Sequence, residues 1–375
     1  MKYLLPIVLI ISTFSFQKSF SQTSNVEDPI LKSIEKHGSS FIKDKDINSV
    51  SIGIYKDGEV YTGHYGEIDK GEGNTPNNET IYEIASVTKT MTGYLVARAV
   101  LEEKIKLDDA VIIYLEGDFS NLQYNDTPIT IKHLLTHTSG LPKFLPLEMN
   151  NVFEKFDEHV PEEYIKLERS YNKKQFLADL KNISITEAPG TTYLYSNAGA
   201  ELIGHVLETI YQKDIDQLLK ESFLAENNMF NTAITLDETQ KQKLVQGYWM
   251  NNETQSPNQL NTLWATGSGA KMTMTDMMQY AALQLNTKNP VVLESQRVLY
   301  ERGKTFKIGY FWRVWNDKYG RSYNHHGGTS GMQNWLFIFP KYNVGISIMT
   351  NQSGPKTPNK LSKTVRKILK NIIEE

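Results

Sequence analysis

The sequence predicts an α+β fold: one antiparallel sheet built from both chain ends, flanked by helices, with an adjoining helical region. Three observations carry this prediction. Apolar residues alternate near the N-terminus, at Val50, Ile52 and Ile54. From about residue 86 to 286 helical periodicity dominates. Strand signals then return near the C-terminus, separated by tight connections. Strands at both ends with helices between them place the two termini in one sheet.

In chain order, residues 1–21 read as a secretory signal. Lys2 supplies the charged start, Tyr3 to Phe16 the apolar run, and Ser19-Phe20-Ser21 the small residues for cleavage before Gln22. The apolar run is too short and poorly flanked for a stable membrane span; the alternative is an uncleaved anchor. The expected product is exported, periplasmic or secreted, with residues 22–375 as a single domain. Lys56-Asp57-Gly58-Glu59 interrupts the first alternation, which resumes at Val60, as in a hairpin closed by an Asp-Gly turn. Leu202, Ile203, Val206, Leu207 and Ile210 mark one clear central helix. The late strands are expected over Ile308–Trp315, Arg321–His326, Gln333–Phe339 and Val344–Thr350, with a tight connection at Pro340–Asn343. In the last segment, Lys360–Glu375, Leu361, Val365, Ile368, Leu369 and Ile372 share a helical stripe. Its basic face could suggest a membrane surface; a terminal helix covering one face of the sheet is the favoured reading.

Without the leader, 38 basic face 43 acidic residues, a formal charge of −5. A mildly acidic chain with no basic stripe argues against nucleic acid as the main partner. There are no cysteines, so export does not bring a disulfide framework or a thiolate metal site. No linker, low-complexity run or internal repeat divides the chain.

Several cheap patterns fall away. His133 and His137 are spaced i, i+4 in "HLLTHTSGLP", but the glutamate of a zinc-protease helix is missing and no third ligand suggests itself. Capping and packing at a helix end are expected there, and neither metal nor cofactor. The serines of "TGSGAK" and "GTSGM" do not form the Gly-x-Ser-x-Gly elbow. Gly71 and Gly73 lack the third glycine of a dinucleotide fingerprint.

Ser-x-x-Lys occurs seven times: Ser15/Lys18, Ser33/Lys36, Ser40/Lys43, Ser86/Lys89, Ser170/Lys173, Ser268/Lys271 and Ser353/Lys356. Context singles out Ser86. Ile81–Ala85 looks extended, and Val87, Met91, Tyr94, Leu95 and Ala99 then follow at helical spacing. Further apolar residues on the other sides make this a buried helix, with Ser86 in its first turn and Lys89 one turn on, within reach of the hydroxyl. A serine needs a base to become a nucleophile. A lysine serves if desolvation or a nearby cation lowers its pKa. The other reading makes Ser86 an N-cap and Lys89 a partly buried strut.

Two more segments tip the balance. "APGTTYLYSNAGAELIG" contains the only Tyr-x-Asn of the chain, Tyr195-Ser196-Asn197, just before a helix. The phenol could relay a proton while the amide holds a substrate amide. "NHHGGTSGMQNW" puts His326-Gly327-Gly328 at a strand end, where glycines let a substrate backbone approach closely. Taken singly, each has a structural reading, a capped helix and a glycine-rich turn.

The order Ser-x-x-Lys, Tyr-x-Asn, His-x-Gly resembles the serine β-lactamase and penicillin-binding-protein-like hydrolases, as do "HLLTHTSGLP" and "LFIFPKYNVGISIMTN". The resemblance covers nearly all of the chain after the leader. It implies that Ser86 is acylated, that Lys89 and Tyr195 share the proton traffic, and that Asn197 orients the substrate. It also implies an oxyanion hole from the backbone amides of Ser86 and Thr329, the residue following Gly328. His326 stands where many members have the lysine of Lys-Thr-Gly, and Gly327 lacks the triplet's hydroxyl. Histidine there is similar to D-aminopeptidases and esterases of the broader family. The expectation is an acyl-serine hydrolase of D-amino-acid peptides, amides or esters, with a small-molecule or peptide substrate, cell-wall-derived ones among the candidates. The alternatives are a β-lactamase and a penicillin-binding sensor that does not turn over. Residues 143–175 are expected to shape the entrance; oligomeric state stays open.

Overall fold

The Asp-Gly hairpin forms as the sequence predicts. Asp57 and Gly58 both take positive φ, 51° and 97°, which matches the turn twist to that of the strands. They join Ser49–Lys56 to Glu59–Gly66 with Lys56 opposite Glu59. A computed structural model describes residues 28–154 and 156–374, and the expected leader, 1–21, lies outside them.

The hairpin is one edge of an eight-stranded antiparallel sheet. Ser49–Lys56 pairs with Val344–Thr350, followed in space by Gln333–Phe339, Gly320–Gly328, Arg313–Asp317, Phe306–Ile308 and Tyr300–Arg302. Both chain ends therefore meet in one sheet. Pro29–Phe41 and Thr357–Glu374 cover one face. Leu361, Val365, Ile368 and Leu369 are buried there with Val50, Ile52, Ile54, Phe337 and Ile346, so the terminal helix spends its apolar stripe on the sheet. The opposite face meets Met274–Gln284 and the helical region, whose centre is the buried helix Thr88–Leu101.

The structure departs from expectation between residues 308 and 315, where one strand was predicted. The chain breaks after Ile308, turns through Phe311 at φ 65°, and resumes at Arg313. The run Ile308 to Trp312 is apolar without alternation, and Tyr310, Phe311 and Trp312 are all buried. A pleated strand sends neighbouring side chains to opposite faces, so burying three in a row requires the turn. It also sets Arg313 opposite Asn324, two residues from His326 along the neighbouring strand.

Gly327 explains how sheet and helical region meet. A Cβ there would lie 2.0 Å from the Ile84 carbonyl oxygen and 2.8 Å from the Asn334 side chain. The close approach expected of these glycines is thus made at Gly327 by the protein's own segment before Ser86. Gly327→Ala should lower stability by about 1–3 kcal/mol. A thermal melt reads this directly; an unchanged midpoint would mean that the two backbones are not in contact.

Candidate active site

Ile81–Glu83 is a short strand paired with Lys271–Thr273, and it delivers the chain to a 3-10 turn at Ala85–Val87. Ala85 has φ 45°, a left-handed conformation that costs a non-glycine residue about 1–3 kcal/mol. Thr88–Leu101 continues from this turn, buried on nearly all sides. The Ser86 hydroxyl does not cap the helix. It instead accepts hydrogen bonds from Lys89 Nζ at 3.2 Å and from the Tyr195 hydroxyl at 2.8 Å.

Lys89 is fully buried. Its ammonium donates to Asn197 Oδ1 at 2.7 Å and to the Gly267 carbonyl at 2.6 Å besides Ser86. Loss of hydration pushes its pKa down to about 7; Glu201 opposes the shift and Arg313 adds to it. Burial also pushes the Glu201 carboxyl up to about 8. At neutral pH Glu201 is therefore largely uncharged and does little to hold the proton on Lys89. Burial raises the Tyr195 phenol above its ordinary value, with the Ser86 bond, Arg313 and Lys143 opposing. Of the two groups on the Ser86 hydroxyl, the lysine is the one whose deprotonated, basic form is accessible near pH 7.

Tyr195-Ser196-Asn197 enters the helix Asn197–Tyr211, capped by Ser196 Oγ on the Gly199 amide at 2.8 Å. Tyr195 is held by a residue with no assigned role at the sequence level beyond capping and packing. His137 stacks obliquely on its ring, 4.3 Å between centroids, and its Nδ1 accepts from the Ser196 amide at 3.2 Å. Burial drives the His137 pKa well below its ordinary value, so the ring is a neutral support. The helix Ile131–Leu135 ends before His137, which has φ 56°. His133 meanwhile closes a capping box with Thr130. The two imidazoles consequently do not share a helix face.

His326 lies on the strand Gly320–Gly328 with its ring against Trp335 and Nε2 3.0 Å from Gln333 Oε1. Burial lowers its pKa to about 4, so it is neutral at physiological pH. The cation of this wall is Arg313, which the sequence reading missed. Arg313 lines the same cavity and is in no ion pair among the described residues. Its alternation signal was hidden by the turn at Phe311. Gly328 and Thr329 also line the cavity. The Thr329 amide donates to the Met332 carbonyl at 2.9 Å, whereas the Ser86 amide has no backbone acceptor among the described residues.

Ser86, Tyr195, Asn197, His326, Gly328, Thr329 and Arg313 thus surround one cavity of about 700 Å³. Two rival pairs have a serine on its lining, Ser268 and Ser353. Lys271 turns instead to the Ile234 carbonyl at 3.0 Å, and Lys356 is exposed. Among the described residues, Lys89–Ser86 is the one hydrogen bond between a lysine and a serine side chain.

Known proteins resemble this chain over most of its length. The chain is 27% identical over 308 residues to the D-alanyl-D-alanine-carboxypeptidase/endopeptidase AmpH of Escherichia coli, covering 77% of this chain and 75% of that one. It is 26% identical over 330 residues to the protein flp of Staphylococcus aureus, covering 83% of this chain and 61% of flp. A β-lactamase/D-alanine carboxypeptidase from Yersinia pestis superposes with a TM-score of 0.77 at 21% identity, over 92% of this chain and 98% of the other. A class C β-lactamase superposes at 0.78 and 19% identity, over 93% and 98%. The sequence profile of the family described as Beta-lactamase matches residues 31–370, and the chain therefore belongs to the β-lactamase family of serine hydrolases.

Proposed function

We propose that the protein is an exported hydrolase that forms an acyl-enzyme on Ser86 and acts on carboxylate-bearing peptides, amides or esters, D-alanyl peptides among them. The observation that carries this is the Ser86 hydroxyl held between Lys89 and Tyr195 in a cavity that Arg313 also lines. Neutral Lys89 takes the hydroxyl proton as Oγ attacks the carbonyl carbon. The proton reaches the leaving group through Lys89 and Tyr195, and water then cleaves the acyl-enzyme by the reverse route. Asn197 offers its amide N–H groups to the substrate while its Oδ1 holds Lys89. The Ser86 amide faces the developing oxyanion. Thr329 joins it by sharing or releasing the hydrogen now given to Met332. The name of AmpH supports a D-alanyl substrate.

Arg313 takes the part of a carboxylate anchor, since His326 is neutral at physiological pH. No aspartate or glutamate lines the described cavity. A substrate with a free ammonium group beside the scissile bond would find no counter-charge, which favours a carboxypeptidase or esterase over an aminopeptidase. Arg313→Gln should raise KM for a carboxylate-bearing substrate roughly 10- to 100-fold, and much less for a neutral ester. An equal effect on both would remove the anchor role.

The direct test is intact mass after incubation with a labelled penicillin and with a fluorophosphonate probe, using Ser86→Ala as control. Rapid loss of a penicillin adduct would indicate β-lactamase turnover, and persistence a penicillin-binding protein. Fluorophosphonate labelling alone would indicate an esterase or peptidase that rejects β-lactams. No labelling by either would overturn the proposed chemistry.

A further inference from the structure

Part of the cavity wall is aromatic. Phe144, Phe153, Phe156 and Trp249 line it. Phe156 stacks on Trp249 with centroids 5.0 Å apart, and Phe144 on Phe153 at 5.9 Å. This surface is built before any substrate arrives. Trp249 Nε1 donates to the Asp157 carbonyl at 2.7 Å, tying the segment after Phe156 to the strand Gly247–Trp249. That strand is seated at Gly247, where an added Cβ would lie 2.7 Å from Gly331 Cα. The wall also begins at the chemistry, because the Lys143 carbonyl accepts the Asn197 amide hydrogen at 2.8 Å. Lys143 then lays its ammonium over Phe144 and Phe153, 5.3 and 5.6 Å from the ring centroids. Phe156, 38% exposed, is a large apolar group left open beside the cavity.

We propose that this wall is a subsite for an aryl-bearing acyl group, so that the favoured substrates are acyl donors with an aromatic ring, neutral or anionic, close to the reacting carbonyl. The proposal rests on the acyl-Ser86 reading and narrows its substrate class. Preformed stacked rings offer a flat apolar face that a further ring covers without rearrangement. Lys143 lies beside that face with no acidic residue lining the cavity, which disfavours an acyl group carrying an ammonium. With an ester of an aryl-bearing acid, Ser86 Oγ bonds to the carbonyl carbon and the ester C–O bond breaks. The serine proton leaves with the alcohol, and water later releases the aryl acid and restores the hydroxyl.

The test compares kcat/KM for p-nitrophenyl phenylacetate and p-nitrophenyl acetate, each normalised to its hydroxide-catalysed rate. Wild type should prefer phenylacetate by at least about tenfold. Phe156→Ala should reduce that ratio at least about threefold; the ring is partly exposed, so its removal leaves the fold intact. A ratio near one in wild type, or one untouched by Phe156→Ala, overturns the subsite. Calorimetric titration of N-phenylacetylglycine and N-acetylglycine into Ser86→Ala reads the subsite without turnover. The aryl ligand should bind at least about tenfold tighter, and the advantage should shrink in the Ser86→Ala/Phe156→Ala double variant. Equal binding overturns the proposal. Acetate turnover through Ser86 with no aryl preference sinks the subsite alone. An aryl preference in the titration without labelling of Ser86 sinks the chemistry and leaves the subsite standing.

Discussion

Replacing Ser86 by alanine should remove acyl transfer, lowering kcat by roughly four to six orders of magnitude while leaving the fold intact. The side chain is small and makes two hydrogen bonds, both with groups that keep other contacts. Lys89 retains Asn197 and Gly267, and Tyr195 remains packed on His137. Loss of activity with an unchanged melt would identify the nucleophile. A variant retaining more than about a hundredth of the activity would place the chemistry elsewhere, because a side chain that carries the covalent bond has no substitute.

The second large effect is expected at Lys89. With its pKa pushed down to about 7, the neutral form is the majority above that pH and declines below it. As a base, Lys89 makes kcat/KM rise with pH through about 7 and then level off, with a tenfold loss per unit on the acid side. Lys89→Met should cost roughly two to four orders of magnitude and abolish this limb. Arg313 helps hold the pKa down, so Arg313→Gln should move the limb to higher pH. His326, lowered to about 4, contributes no titration near neutrality. This places any His326 limb well below the acid side set by Lys89. A rate flat from pH 8 to pH 4 would rule out Lys89 as the base.

Much of the molecule was legible in the sequence for local reasons. The hairpin follows from Asp57-Gly58, because few residues tolerate paired positive φ. The buried helix after Ser86 follows from an apolar run at helical spacing, and the terminal helix from one stripe that needed a sheet to cover. The Ser86/Lys89 pair lies on one short stretch of chain, so its proximity is a property of helical geometry and survives any arrangement of the rest. Tyr-x-Asn and His-x-Gly could be seen as motifs, and their common order carried the family resemblance.

What only the tertiary structure decided is where separate elements meet. The Lys89 pKa falls to about 7 because the ammonium is buried against Asn197 and Gly267, from two segments distant in sequence. Burial cannot be read from a single helix. Arg313 became visible only once the turn at Phe311 reset the alternation and strand pairing set it opposite Asn324. Gly327 suggested room for a substrate, yet the space is filled by Ile84. Among the described residues, packing separates Ser86/Lys89 from the two rival pairs with a serine on the cavity, aiming Lys271 at the Ile234 carbonyl and leaving Lys356 exposed. Dihedral preferences and periodicity act over a few residues and are written in the chain. Desolvation, charge coupling and close backbone contact act through space and exist only when the chain is folded.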